Sequence, residues 1–118
     1  MNSLNRDRDQ APLATLAQIE DGGFLEVEAA IDGDAESLIL FRDADAVRAW
    51  LNVCPHAGRR LDWAPGKFLK TKDGHLVCAV HGATFELNRG ECVAGPCRGA
   101  LLRTVAITLR DGRIFLGD

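Results

Sequence analysis

Cys54-Pro55-His56 and, after 21 intervening residues, Cys78-Ala79-Val80-His81 are the stretches that decide the fold of this chain. Each stretch supplies one thiolate and one imidazole from adjacent backbone, and the ligand order is the same in both. Two similar loops that each offer one sulfur and one nitrogen donor predict a single metal site, to which each loop contributes half.

The order of these ligands separates two kinds of metal site. Zinc sites of the finger type pair Cys with Cys on one element and His with His on another. Here each element mixes one Cys with one His, which suits a binuclear cluster in which one iron takes both thiolates and the other takes both imidazoles. We therefore expect one [2Fe-2S] cluster per chain, with Cys54, His56, Cys78 and His81 as its ligands.

The residues around the ligands resemble the Rieske [2Fe-2S] family, over roughly residues 48–117. Loop one reads CPHAGRRL from Cys54, loop two reads CAVHGATF from Cys78, and a Gly95-Pro96 turn follows. The likeness is greatest to stand-alone Rieske-type ferredoxins. It implies that the two cysteines hold the buried iron and the two histidines the outer iron, with Pro96 covering the cluster from a third loop. The sequence departs from the family in a longer gap between the loops and in Ala79, where Pro is usual.

Gly58 and Gly82 lie just beyond the two histidines. A tight turn at these positions requires positive φ, and bare amides there can approach a sulfide closely. We expect both glycines, like Pro96, to line the cluster without ligating it.

Short alternating apolar runs predict an all-β fold. The runs cover residues 24–30, 37–42, 46–53, 75–79, 84–87, 103–110 and 113–116. Turn sequences such as Asp32-Gly33 and Asp111-Gly112 separate several of them, and Asp-Gly is favoured in two-residue hairpins. Residues 44–51 also fit one or two helical turns.

These runs predict an antiparallel β sandwich or barrel, and the Rieske resemblance implies the same layout. We expect a single domain over residues 11–118, with a smaller cluster-binding lobe inserted at about residues 54–97. Residues 1–10 are expected to be a disordered leader, with no apolar stretch that would form a secretory signal. A cytoplasmic location follows as an expectation.

Charge is distributed unevenly along the chain, whose net charge is −3 at pH 7. Residues 54–97 carry six basic and four acidic side chains, whereas residues 1–53 are strongly acidic. Arg59, Arg60 and Arg98 either surround the histidine tip and steer an acidic partner, or are simply solvated. The net acidity argues against nucleic acid as a partner, and no stretch is apolar enough to span a membrane.

Two cysteines, Cys92 and Cys97, fall outside the proposed ligand set and are expected to be thiols in a reducing compartment. One interpretation makes both of them small buried apolar residues. The other makes Cys97 a thiol beside the cluster or, with Cys92, a redox-labile bridge.

The resemblance also bears on the reduction potential. In high-potential respiratory members, a serine and a tyrosine hydroxyl donate hydrogen bonds to the cluster sulfurs and a disulfide joins the loops. The matching positions here are Ala83, Phe85, Arg59 and Val80, and the chain has no Tyr. We therefore expect a low potential, because fewer hydrogen bonds stabilise the added electron.

The function that the resemblance implies is single-electron transfer from a reductase to an oxygenase of the aromatic-ring dioxygenase type. One alternative is a redox subunit of a larger oxidoreductase, such as a nitrite reductase. Another is a structural module or sensor that holds zinc or a cluster. In the leading interpretation the chain has no catalytic residues and no small-molecule substrate of its own, because protein and sulfide ligands saturate both irons.

Overall fold

The structure is a computed structural model that describes residues 11–55, 58–80 and 82–117. The regular structure of these residues consists of one 3-10 helix, Leu16–Gln18, and ten β-strands. The strands are β1 Ala14–Thr15, β2 Phe24–Ile31, β3 Asp34–Asp43, β4 Ala46–Leu51, β5 Leu69–Lys70, β6 Leu76–Val77, β7 Thr84–Phe85, β8 Cys92–Ala94, β9 Ile107–Arg110 and β10 Arg113–Leu116. They pair antiparallel in three sheets, in the orders β1-β10-β9, β2-β3-β4 and β5-β6-β7-β8. The predicted all-β class is confirmed.

Strand β3 separates two apolar cores, because successive side chains of a strand point to opposite faces. Leu38 and Leu40 enter a basal core, whereas Ile39 and Phe41 enter a second cluster that we call the loop core. The basal core consists of Ala14, Ile19, Leu38, Leu40, Ala49, Leu51, Val105 and Ile114. The loop core consists of Ile39, Phe41, Trp50, Cys54, Leu61, Leu76, Cys78, Ala83, Phe85, Leu87, Cys92 and Leu102. Each fully buried large apolar side chain contributes roughly 1.5–3 kcal/mol, so both faces of β3 support the fold.

The Asp-Gly turns form as predicted. Asp32 and Gly33 between β2 and β3 both have positive φ, as do Asp111 and Gly112 between β9 and β10. Positive φ at both central residues is the geometry of a type I′ hairpin, which matches the twist of the flanking strands.

The helical alternative for residues 44–51 is wrong. Strand β4 pairs with β3 along its whole length, from Asp43 opposite Ala46 to Leu38 opposite Leu51. The turn between them places Ala44 at φ 54°, which is unusual for alanine. The Ala44 N–H donates to Asp21 Oδ1 over 2.8 Å, and its carbonyl accepts from Arg42 Nε over 2.7 Å. The contact with Asp21 comes from distant sequence and the contact with Arg42 from the end of β3, and together they hold the turn.

The sheet β5-β6-β7-β8 contains only residues between 69 and 94, and therefore lies in the chain between β4 and β9. This order is compatible with an inserted lobe, although the limits at residues 54 and 97 stay a prediction. The expected leader, residues 1–10, lies outside the described residues. Within the described ranges, no helix has the length and apolar character needed to cross a membrane.

Candidate metal centre

Loop one begins at Cys54, three residues after the end of β4, and closes on itself through the backbone. The Cys54 N–H donates to the Arg59 carbonyl over 2.7 Å, and the Gly58 N–H donates to the Cys54 carbonyl over 2.8 Å. Gly58 has φ 68°. The Cys54 side chain is buried, which places its thiol on the inner side of the loop.

Loop two repeats this pattern at the same spacing. The Cys78 N–H donates to the Ala83 carbonyl over 2.7 Å, and the Gly82 N–H donates to the Cys78 carbonyl over 3.0 Å. Gly82 has φ 74°, and Cys78 is buried like Cys54. The two similar loops that the sequence predicts are thus present as backbone structure.

Backbone conformation gives one reason for glycine at both positions. A β-carbon built on Gly58 or Gly82 would meet no atom of the described, non-adjacent residues within 4 Å. An L-residue would nevertheless be strained by roughly 1–2 kcal/mol in this left-handed region.

The two loops are joined to each other directly. The Ala79 N–H of loop two donates to the Leu61 carbonyl at the end of loop one, over 3.2 Å. Cys54, Cys78 and Leu61 all belong to the loop core. The structure therefore brings the two predicted thiol ligands into one buried cluster. The two predicted imidazole ligands, His56 and His81, lie outside the described residues.

A third loop lies against loop two. A β-carbon built on Gly95 would lie 2.8 Å from Ala83 Cα and 3.4 Å from the Gly82 carbonyl oxygen. The backbones at Gly95 and Ala83 therefore lie so close together that only glycine, which has no β-carbon, fits at position 95. The neighbouring Pro96 is exposed, and its role in covering the cluster stays a prediction.

The donor set fits a [2Fe-2S] cluster. Cys54 and Cys78 are each 1% exposed, and thiolates buried among apolar side chains are unfavourable unless a metal compensates their charge. Soft thiolate donors are the ligands that iron–sulfur clusters use. The cysteines present are therefore those that the sulfur-ligated iron of such a cluster requires.

Comparison with known proteins identifies the family. The sequence profile of the Rieske [2Fe-2S] domain matches residues 10–107. The chain belongs to the Rieske [2Fe-2S] family. Membership implies one [2Fe-2S] cluster per chain, so the zinc alternative is not favoured. A comparison with curated protein sequences gave no match.

Solved structures with the same fold include ferredoxins and an oxygenase. The ferredoxin of carbazole 1,9a-dioxygenase from Nocardioides aromaticivorans IC177 is 25% identical, with a TM-score of 0.69 over 92% of this chain and 96% of that chain. The Sphingomonas yanoikuyae B1 ferredoxin is 22% identical, with a TM-score of 0.65 over 92% of this chain and 98% of that one. The terminal oxygenase of carbazole 1,9a-dioxygenase from Novosphingobium sp. KA1 is 23% identical, with a TM-score of 0.69 over 92% of this chain but 30% of that one.

A buried amide connects loop one of this Rieske protein to the sheet β2-β3-β4. Asn52, 1% exposed, accepts the Leu61 N–H at Oδ1 over 2.9 Å and donates from Nδ2 to Ser37 Oγ over 3.1 Å. Ser37 Oγ in turn donates to Glu26 Oε2 over 2.8 Å. Sequence reasoning missed Asn52, since an asparagine at a strand end reads as an ordinary turn residue.

Arg60 pairs with Asp62 in the same region. Its Nε and Nη2 donate to the two carboxylate oxygens over 2.9 and 2.7 Å, and the Gly66 N–H adds a third bond. Burial raises the pKa of Asp62, but these hydrogen bonds outweigh it and leave that pKa below its ordinary value. Asp62 is therefore ionised at neutral pH and neutralises Arg60. Of the three arginines predicted near the histidine tip, Arg59 and Arg98 are exposed and form no ion pair with a carboxylate of the described residues.

The Asn52 contacts yield a stability prediction. Asn52→Ala should lower the thermal midpoint of the cluster-loaded protein by roughly 5–15 °C, because an unpaired buried N–H at Leu61 costs about 1–3 kcal/mol and the vacated space adds to it. Asn88→Ala, in an exposed turn, is the matched control and should change the midpoint by less than about 2 °C. Equal midpoints for the two variants would contradict the role given to Asn52.

Proposed function

We propose that this chain is a single-electron carrier that delivers electrons from a reductase to an oxygenase of the aromatic-ring dioxygenase type. The observation that carries the proposal is the pair of similar loops that bury Cys54 and Cys78 in one core. The likeness to a dioxygenase ferredoxin over 96% of that ferredoxin supports it. When bound, the cluster supplies reversible one-electron chemistry.

In this proposal the protein holds the cluster asymmetrically. Cys54 and Cys78 ligate the inner iron, because both thiols are buried. His56 and His81 ligate the outer iron, as the family pattern implies, while Gly58, Gly82 and Pro96 line the cluster. The chain itself performs no catalysis, since protein and sulfide ligands would fill every iron position and leave none for a substrate.

The proposed carrier has a low potential. Ala83 and Phe85, at the positions where high-potential members carry hydroxyl donors, are fully buried apolar side chains. Neither can donate a hydrogen bond to a cluster sulfur. We therefore expect a midpoint in the lower part of the Rieske range, which runs from about −150 to +300 mV. Spectroelectrochemical titration measures it, and a midpoint well above about +100 mV would refute the argument from Ala83 and Phe85.

We further propose that the partners are proteins alone. The exposed Arg59 and Arg98 would attract an acidic patch on a redox partner, an effect that salt should weaken. Nucleic acid, membranes and small-molecule substrates are not part of the proposal.

We also propose a cytoplasmic location, because a reducing compartment keeps thiols such as Cys92 and Cys97 free.

Reduction kinetics test the carrier function. The purified, cluster-loaded protein is mixed anaerobically with a nicotinamide-dependent ferredoxin reductase, and then with the oxidised terminal oxygenase of a ring-hydroxylating system. The proposal predicts reduction by the first protein and reoxidation by the second, both slowed by salt. If no reductase and oxygenase pair drawn from such systems exchanges electrons with the protein, the carrier proposal fails. Stable co-purification with a large oxidoreductase would instead support the permanent-subunit alternative.

A further inference from the structure

The two cysteines outside the ligand set lie side by side. Cys97 Sγ is 3.1 Å from Cys92 Sγ, and both residues are free thiols. Cys92 is buried in the loop core, whereas Cys97 is partly exposed. A buried thiol next to an accessible one, with the sulfurs in contact, is an arrangement that intramolecular oxidation requires.

The backbone around the pair already forms a closed loop. The Cys92 N–H donates to the Ala100 carbonyl over 2.8 Å, and the Gly99 N–H donates to the Cys92 carbonyl over 2.9 Å. The native fold therefore already holds the two cysteines close together, so little further conformational entropy is lost when the disulfide forms. A disulfide bond is about 2.05 Å long, so the sulfurs need to approach by roughly 1 Å.

The packing of the loop differs on the two sides of Cys97. A β-carbon built on Gly99 would meet no atom of the described, non-adjacent residues within 4 Å, so the loop is not tightly packed there. Gly95, on the other side, is packed against Ala83 and anchors the loop. We expect the Cys97 side chain and the backbone toward Gly99 to make the adjustment.

We propose that Cys92 and Cys97 form a reversible disulfide that alters the surroundings of the cluster ligand Cys54. The oxidant is a low-molecular-weight disulfide such as oxidised glutathione. Cys97 Sγ attacks it and releases one glutathione thiol; Cys92 Sγ then attacks Cys97 Sγ and releases the second. Two protein thiols lose two electrons and two protons, and one glutathione disulfide becomes two thiols.

The link to the cluster comes from the loop core that Cys97 shares with Cys54. Cys97 packs against this core, to which both Cys92 and Cys54 belong, and its S–H donates to Cys92 Sγ. Closure of the disulfide replaces two thiol donors in the core of this ligand by an S–S bond that cannot donate. Fewer donors around a cysteine ligand destabilise the reduced cluster, so the closed form should have the lower midpoint potential. The predicted shift in midpoint potential rests on the proposed function, because it requires the cluster. Formation of the disulfide does not rest on it.

Thiol mapping tests the disulfide. The cluster-loaded protein is incubated for hours in glutathione buffers from fully reduced to fully oxidised, blocked with N-ethylmaleimide, digested and analysed by mass spectrometry. We expect a linked peptide containing Cys92 and Cys97 in oxidising buffer, which dithiothreitol reverses and which Cys97→Ser lacks. Alkylation of both cysteines at every glutathione ratio would overturn the proposal.

Redox titration of three proteins tests the effect on the cluster. The wild-type midpoint should fall when the disulfide closes. Cys97→Ser, which keeps a hydroxyl donor, should stay near the open wild-type value at every glutathione ratio, and Cys97→Ala, which has no donor, should resemble the closed form. A wild-type midpoint that is unchanged by a disulfide detected by mass spectrometry would overturn the link to Cys54.

Discussion

Replacement of Cys78 by serine should abolish the iron–sulfur cluster. Iron and acid-labile sulfide should fall from about two of each per chain to near zero, and the visible absorption should disappear with them. The reason is that, in the proposed ligand set, buried Cys78 is one of the two thiolates that would hold the inner iron, and a serine hydroxyl is a much poorer ligand for iron in a sulfide environment. Because metal binding is coupled to folding, the variant should also unfold at a lower temperature.

Cys92→Ser is the matched control for this experiment. Cys92 lies in the same loop core as Cys78 and is equally buried, but it is outside the proposed ligand set. The variant should retain its full iron and sulfide content and should lose only about 1–2 kcal/mol of stability, as expected for a hydroxyl placed among apolar side chains. Equal loss of iron in both variants, or full retention in Cys78→Ser, would contradict the assignment of the ligands.

Gly95→Ala should lower the thermal midpoint by on the order of 10–20 °C and should weaken retention of the cluster. Two effects combine at this position. The backbone has φ 99°, a region that costs a residue with a side chain about 1–3 kcal/mol. The added β-carbon would also lie 2.8 Å from Ala83 Cα, so loop two or the third loop would have to move, at a further cost of about 1–3 kcal/mol. Thermal unfolding followed by circular dichroism, together with the rate of bleaching, measures both consequences.

Gly99→Ala is the control that separates the backbone strain of a positive φ from the steric overlap with Ala83. Gly99 has φ 92°, close to that of Gly95, but a β-carbon there meets no atom within 4 Å. It should therefore show the strain cost alone, roughly 1–3 kcal/mol, and should keep its cluster. If the two alanine variants unfold at the same temperature, then the contact between the third loop and Ala83 contributes nothing to stability.

Much of the fold and of the sulfur half of the site could be predicted from local sequence. The Asp-Gly hairpins form from short-range conformational preference, which is why Asp32-Gly33 and Asp111-Gly112 could be recognised directly. The two cysteine loops are also local: each closes through hydrogen bonds within six residues, and each depends on a glycine with positive φ. Spacing alone therefore predicts them.

Features that depend on distant contacts could not be predicted in this way. The turn at Ala44 has no glycine, and Asp21, 23 residues away in the chain, holds its N–H. Strands β1, β5 and β8 contain two or three residues each, too few for a recognisable alternation. The Asn52 contacts and the approach of Gly95 to Ala83 join segments far apart in sequence. The neutralisation of Arg60 by Asp62 is local but could not be predicted either, since spacing does not show which carboxylate is buried.

Pulsed EPR of the dithionite-reduced protein, prepared with isotopically labelled histidine, tests the central claim most directly. The account predicts a paramagnetic binuclear iron cluster with hyperfine couplings from two histidine nitrogens, those of His56 and His81, and with the coupling of one nitrogen lost when either residue is replaced by cysteine. A cluster without histidine nitrogen couplings, or a single mononuclear metal ion bound to the same residues, would contradict it.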